Sequence, residues 1–192
     1  MIDSLCDQAG QNVAIACFYL DFAAQQAQSS TSMLCSLLKQ LVARPGDVPR
    51  EIVQAYEGQK DFIGGRRLRD TDVVKMLQTA SSKKNRTFIC IDALDECVPE
   101  QRAKLLNSLN EILQNSPGTR IFVTGRPQIR PEIGRRLSGR VASLPIRTKR
   151  DDIIRYLHSK LEQDATPDAM NDSLKAEILR KIPQDVSEMY VS

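Results

Sequence analysis

Three carboxylates follow one hydrophobic segment of the chain within five residues. The segment 88–91 reads Phe-Ile-Cys-Ile, and Asp92, Asp95 and Glu96 come directly after it. Four apolar residues in a row predict a strand that is buried on both faces, and in an open α/β sheet ligands bind outside the carboxyl ends of the strands. A carboxylate there can hold a hydrated Mg²⁺ beside a nucleotide's phosphates, and a further acid can orient or activate an attacking water. The pattern therefore predicts phosphate chemistry.

Each of these acids also has a purely structural interpretation. Asp92 could cap a helix or close a turn, and Asp95 and Glu96 could begin a loop or cap the next helix. Arg126 follows another apolar segment, 121–124, within the turn Gly-Arg-Pro. A guanidinium at the carboxyl end of a strand can pair with two phosphate oxygens at once, although an arginine in a turn can equally be a solvated surface residue.

Strands and helices that would position these residues alternate along the chain. Strands are predicted over 13–20, 87–92 and 120–124, with a weak fourth over 141–144. Helices are predicted after the N-cap segment 29–31, from Asp70 or Thr71, near Ile52, and over 100–115, 131–137, 151–163 and 174–182, with a polar loop over 58–69. This order is typical of βαβ units, and it predicts an α/β fold whose parallel sheet carries helices on both faces.

The segment 88–96 resembles the extended Walker B motif of NACHT domains, in which four hydrophobic residues precede D-G/A-hydrophobic-D-E. The resemblance is close to the fungal NACHT proteins of the nephrocystin-3-like N-terminal group, which often carry ankyrin repeats. The segment 121–127, Ile-Phe-Val-Thr-Gly-Arg-Pro, resembles the sensor-1 strand, which usually ends in T-S-R-P, and 151–157 resembles the D-I-x-x-Y helix that follows.

The resemblance implies an incomplete P-loop NTPase of the AAA-like branch, a three-layer fold followed by C-terminal helices. Residues 1–148 would form a partial NACHT domain, and residues 149–192 would begin the next helical subdomain. Asp92 would hold Mg²⁺ through water, Asp95 and Glu96 would be the catalytic acids near the γ-phosphate, and Arg126 would sense that phosphate. Full-length members of the family use Mg-ATP.

One part of a nucleotide site is missing from the sequence. A P-loop reads G-x-x-x-x-G-K-[ST], because backbone amides and the lysine must cradle the phosphates. None of the nine glycines is followed by lysine, and Met1 to Cys6 resembles the helix that follows a P-loop. We therefore expect no ATP binding, and no cofactor, for this chain alone. In the family the P-loop strand lies between the Walker B and sensor-1 strands, so these two either leave a gap or pair directly.

Two functions follow from these observations. The chain is expected to be part of a NACHT-type signalling NTPase switch, in which nucleotide state controls oligomerisation. Alternatively, it is a non-catalytic interaction module or truncated product that associates with full-length NACHT relatives. The expected partners are other NACHT-type protomers or effector and repeat domains.

Charge and cysteine content bear on nucleic-acid binding, cellular location and the presence of disulfides or zinc. Residues 120–150 hold nine lysines and arginines against one acid, Glu132, which indicates either a phosphate or nucleic-acid surface or a solvated face. We expect no nucleic acid, because we see no aromatic residues interleaved with these arginines for base stacking. The five cysteines include no C-x-x-C, which predicts neither a disulfide framework nor a zinc site. Residues 1–10 contain no basic residue, and the chain has no apolar run long enough to span a membrane. Together these features predict a cytoplasmic protein.

Overall fold

The computed structural model describes residues 12–43, 48–50, 52–54, 57, 68–139, 141–145, 149–163 and 171–189. The chain divides into two compact units, Met1–Val141 and Ala142–Ser192. The boundary expected between residues 148 and 149 stays a prediction. In the described residues, no helix is both long and apolar enough to cross a membrane.

The first unit alternates strands with helices as the sequence predicts. Its strands are β1 (Val13–Tyr19), β2 (Arg86–Asp92) and β3 (Thr119–Val123), and its helices are α1 (Ser30–Leu41), α2 (Asp70–Ser82), α3 (Pro99–Asn115) and α4 (Arg130–Arg136). Short 3-10 helices span Phe22–Ala27, Leu94–Glu96 and Pro127–Ile129. The second unit contains α5 (Arg150–Glu162) and α6 (Asp172–Met189), which pack against each other.

The three strands form one parallel sheet in the order β1-β2-β3. Val13 lies opposite Arg86 in the β1–β2 pair, and Thr87 lies opposite Thr119 in the β2–β3 pair. The strand that carries the acids is therefore central in the described sheet. It pairs directly with the strand that leads to Arg126, which is the second of the two arrangements that the sequence left open.

The hydrophobic core covers one face of this sheet. Ala16, Ile89 and Ile91 point into it from the strands, because alternate residues of a strand share a face. Helices α1, α2 and α3 enclose it with fully buried leucines and other apolar side chains, among them Leu34, Leu37, Leu77, Leu105, Leu106 and Leu109. The described helices of this unit that supply buried core residues all lie on this face, so a helical layer on the other face stays a prediction.

Local hydrogen bonds explain where the first two helices begin. Ser29 is the N-cap of α1, as predicted, and its Oγ accepts a hydrogen bond from the amide of Ser32 at 3.2 Å. Asp70 does not cap α2; it is the first residue of that helix. Its carboxylate accepts hydrogen bonds from Ser30 Oγ at 2.5 Å and from Thr31 Oγ1, and thereby joins the first turns of α1 and α2.

Two predictions near the carboxyl end of the chain are wrong. Residues 141–144 form no strand, and Val141 and Leu144 are 60% and 83% exposed. The segment therefore buries little of the apolar surface on which its prediction rested. Helix α6 runs to Met189 through Pro183 rather than ending at Ile182, so the chain stays helical at a residue that removes one backbone hydrogen bond and normally kinks or ends a helix.

Three other predicted segments fall wholly or largely outside the described residues. These are the helix near Ile52, the loop over 58–69 and the helix over 1–6.

Candidate functional site

Asp92 ends β2 and is held by the residue that follows β3. Thr124 Oγ1 donates a hydrogen bond to Asp92 Oδ1 at 2.5 Å, and the amide of Thr124 donates to the carbonyl of Ile91 at 2.9 Å. The direct pairing of β2 with β3 brings these groups together, since the carboxyl ends of parallel strands meet at one edge. Asp92 is therefore half-buried at the place where the sequence predicts a ligand.

The chain turns sharply after Asp92. Ala93 has φ 54° and ψ 43°, a left-handed conformation that a non-glycine residue adopts only at an energetic cost. Two hydrogen bonds to Thr124 hold it there: the amide of Ala93 donates to Thr124 Oγ1, and the amide of Leu94 donates to the carbonyl of Thr124, both at 2.9 Å. This turn directs the next two acids, Asp95 and Glu96, away from the line of the strand.

Asp95 bonds to Arg126 through both of its carboxylate oxygens. The amide of Arg126 donates to Asp95 Oδ1 at 3.1 Å, and Arg126 Nε lies 3.3 Å from Asp95 Oδ2. The two side chains differ greatly in exposure, with 9% for Asp95 and 73% for Arg126. The carboxylate of Asp95 is thus almost buried, whereas most of the Arg126 side chain lies in solvent and can meet a second anion.

Glu96 turns toward the β1 side of the sheet instead. Its Oε2 accepts a hydrogen bond from the amide of Phe22 at 3.0 Å, and its carbonyl accepts from Gln25 Nε2 at 2.5 Å. Phe22 begins the 3-10 helix Phe22–Ala27, so the carboxylate satisfies an amide that the short helix leaves unpaired. The structure therefore places Asp92, Asp95 and Arg126 around the segment 124–126 and gives Glu96 different partners.

A second ion pair, which the sequence does not predict, contacts Cys97, the residue that follows Glu96. Arg102 Nε donates to Glu132 Oε2 at 2.8 Å, and Arg102 Nη1 donates to the carbonyl of Cys97 at 3.0 Å. The side chains of Arg102 and Glu132 are only 12% and 18% exposed. Burial raises the pKa of the Cys97 thiol above its usual range, while the charge of Arg102 lowers it and that of Glu132 raises it further. Nothing in the sequence signals this pair, since its partners lie on separate helices.

Gly125 is where the chain departs from the T-S-R-P pattern of the resemblance. A Cβ at this position would lie 2.5 Å from Ile129 Cδ1 and 3.3 Å from Asp95 Oδ1. Any larger residue would therefore require the buried Ile129 side chain to move. The glycine allows the segment 124–126 to approach Asp95 closely.

The donors at this edge fit a magnesium ion only in part. Asp92 offers the carboxylate that a hydrated Mg²⁺ needs, and one of its oxygens already accepts a hydrogen bond from Thr124. Within the described residues, no group of three or more His, Cys, Asp or Glu side chains is arranged to hold a metal ion. The role of Asp92 toward Mg²⁺ stays a prediction.

The comparison with known families bears directly on this edge of the sheet. The family model described as Nephrocystin 3, N-terminal matches residues 1–126. The chain belongs to the nephrocystin 3 N-terminal family. No curated protein and no solved structure matches it.

The match to the nephrocystin 3 N-terminal family contains all four predicted site residues. It includes β1, β2, β3 and the three acids, and its last residue is Arg126. The family assignment thus confirms the coarser part of the resemblance. The roles of Asp92, Asp95, Glu96 and Arg126 stay predictions.

Proposed function

We propose that this chain carries the Walker B and sensor-1 strands of a NACHT-type signalling NTPase switch, of the fungal, cytoplasmic kind that the sequence resembles. One observation carries the proposal. Asp92 and Asp95, after β2, are joined to Thr124 and Arg126, after β3, at the carboxyl edge of a parallel sheet. This is the edge at which α/β proteins bind nucleotides.

The Asp95–Arg126 pair suits a switch because the Arg126 side chain can exchange its contact with Asp95 for a contact with another anion. Asp95 is almost buried and also accepts a hydrogen bond from the Arg126 amide, whereas the Arg126 side chain is 73% exposed. A γ-phosphate at the sheet edge would compete for that guanidinium, since an arginine pairs more strongly with a doubly charged phosphate group. Nucleotide state would then be read as the position of Arg126, while Asp92 would face the hydrated Mg²⁺ that the nucleotide supplies.

The 192-residue polypeptide by itself is proposed neither to bind nor to hydrolyse ATP with useful affinity. Its sequence contains no G-x-x-x-x-G-K-[ST], so it offers no backbone cradle or lysine for the β- and γ-phosphates. Two of the candidate acids are also committed to protein partners: Asp95 accepts from the amide of Arg126, and Glu96 accepts from the amide of Phe22.

Isothermal titration of the purified chain with Mg-ATP and with Mg-ADP tests this part of the proposal. We expect no saturable heat at micromolar nucleotide. Arg126→Gln is the matched variant, since a signal that it leaves unchanged does not come from this site. Micromolar binding that Arg126→Gln weakens would contradict the proposed inactivity of the isolated chain and would support the proposed site.

The edge of the sheet at β3 favours a second candidate, a non-catalytic interaction module. In the described sheet, β3 pairs with a strand on one side only, whereas the outer edge of β1 is occupied at Cys17, whose amide and carbonyl bond to the Gln40 side chain. A strand edge with free amides and carbonyls can pair with another chain. Partners of this kind would be full-length NACHT relatives, other NACHT-type protomers or their effector and repeat domains. Light scattering after gel filtration of the chain mixed with a full-length relative tests it, and two separate unshifted peaks would exclude it.

A further inference from the structure

A cavity lies at the opposite end of the strands from the predicted site. It has a volume of about 320 Å³ and is lined by Asn85, Arg86, Phe88, Gly118 and Arg120. Arg86 is the first residue of β2, whereas Asp92 is its last, so the cavity is separate from the carboxyl edge. Its volume is near the lower end of the range for small-molecule sites.

The cavity opens on the sheet face away from the core. Phe88 lies opposite Arg120 in the β2–β3 register, and Arg86 precedes Phe88 by two residues, so all three point to the same side. The neighbouring core-facing residues Thr87 and Ile89 point the other way and are buried. Phe88 therefore shares this face with one arginine two residues before it on β2 and with another opposite it on β3.

Neither arginine is neutralised in the described part of the chain. No carboxylate forms a salt bridge with Arg86 or Arg120 there. Arg120 Nη1 instead donates to the carbonyls of Pro117 and Thr119, both at 2.9 Å. These bonds fix the guanidinium in place and leave its Nε and Nη2 donors for a ligand.

Phe88 gives the cavity an aromatic lining residue. Phe88 is half-buried, and its ring lies 6.1 Å from that of Phe122 at an angle of 41°. Gly118 places no side chain in the cavity, and a Cβ there would lie 2.9 Å from the carbonyl oxygen of Asn85. A planar ring can stack on an aromatic face or under an arginine, and an anionic group binds guanidinium nitrogens in a fork.

We propose that this cavity binds a small planar aromatic or heterocyclic compound that carries an anionic group, with the ring on Phe88 and the anion between Arg86 and Arg120. The proposal is independent of the function proposed above, because it uses none of the residues at the carboxyl edge. The cavity volume of about 320 Å³ favours a small molecule over a nucleic-acid strand.

Phenyl phosphate is the probe for the test, read by amide chemical shifts of the ¹⁵N-labelled chain. We expect saturable shifts centred on Arg86, Phe88 and Arg120, with a dissociation constant on the order of 1 mM. Inorganic phosphate should bind about tenfold more weakly, because it cannot stack on the ring. Arg86→Gln and Arg120→Gln should each weaken phenyl phosphate about tenfold.

Arg130→Gln is the matched control, because Arg130 is also exposed but lies beyond the opposite end of β3. It should leave the affinity within about twofold of the wild type, since it removes the same charge outside the cavity. Three results would overturn the proposal: no saturation up to about 20 mM phenyl phosphate, equal affinity for inorganic phosphate, or an effect of Arg130→Gln as large as that of Arg86→Gln. Tighter binding of a short single-stranded oligonucleotide, with shifts spreading beyond the cavity, would overturn the assignment to a small molecule.

Discussion

The Asp95–Arg126 pair is predicted to be strongly asymmetric when its two partners are removed one at a time. Asp95→Ala removes a carboxylate whose side chain is 9% exposed and which accepts the Arg126 amide at 3.1 Å as well as the guanidinium. A hydrogen bond to a charged group contributes about 1.5–3 kcal/mol, so we expect a loss of about 2 kcal/mol in the free energy of unfolding. Arg126→Ala should cost only about 0.5 kcal/mol, because the Arg126 side chain is 73% exposed and the backbone hydrogen bond remains.

Urea unfolding followed by circular dichroism measures the difference. With a slope of about 2 kcal/mol per molar urea, Asp95→Ala should lower the midpoint by about 1 M and Arg126→Ala by about a quarter of that. Asp95→Asn should fall between them, since its amide oxygen can still accept from the Arg126 amide.

Glu100→Ala is the control for removing an ion-paired acid from the same unit. Glu100 approaches Lys104 more closely, at 2.7 Å, but its side chain is 72% exposed, so we expect no measurable change in the midpoint. Equal losses for Asp95→Ala and Arg126→Ala would refute the reasoning, because they would show that the exposed ion pair, and not the buried amide contact, holds this turn.

Three further predictions concern the residues around the site. Ala93→Gly should raise the free energy of unfolding by about 0.5 kcal/mol, because the strain energy that glycine relieves at this left-handed residue slightly exceeds the conformational entropy that it adds to the unfolded chain. An unchanged or lower urea midpoint would contradict this. Arg102→Ala should cost about 2 kcal/mol, since it removes a nearly buried hydrogen bond to the carboxylate of Glu132, which keeps its ion pair with Arg136 at 3.3 Å. The exposed Lys104→Ala should change little, and equal melting temperatures of the two variants in thermal melts would count against the prediction. Burial raises the pKa of the Cys97 thiol, so its contribution to stability should be complete below about pH 8.5, the pKa of an unfolded thiol, and should be lost as the pH rises through the higher pKa of the folded state. Urea midpoints measured from about pH 8 to 11 should therefore fall less steeply for Cys97→Ala than for the wild type. Parallel curves for the two proteins would contradict this prediction.

The parts of the fold that the sequence predicts correctly are those whose signal is local. The apolar run before Asp92 predicts a buried strand over 87–92, and β2 spans Arg86–Asp92. Helix α3, predicted over 100–115, spans Pro99–Asn115, because its leucines recur at helical spacing and a proline begins it. In both cases the residues that stabilise the element lie within it.

The features that the sequence does not predict depend on distant partners. The 3-10 helix Phe22–Ala27 has no periodic pattern of its own. Asp21 is its N-cap, but the Glu96 carboxylate that accepts from its first amide lies 74 residues along the chain. Glu132, the single acid of the basic block 120–150, indicates nothing by itself, yet it pairs with Arg102 from α3. The different directions of Asp95 and Glu96 likewise follow from the turn at Ala93, which composition and spacing do not encode.

The sheet order has a consequence for how the chain folds. Only 32 residues separate Asp92 from Thr124, whereas 74 separate Phe22 from Glu96. Closing the longer loop costs about 0.7 kcal/mol more chain entropy, so the βαβ unit of β2, α3 and β3 has the lower barrier to nucleation. The edge that holds Asp92, Asp95 and Arg126 is therefore expected to assemble first, and β1 to dock afterwards on a half-site that is already formed.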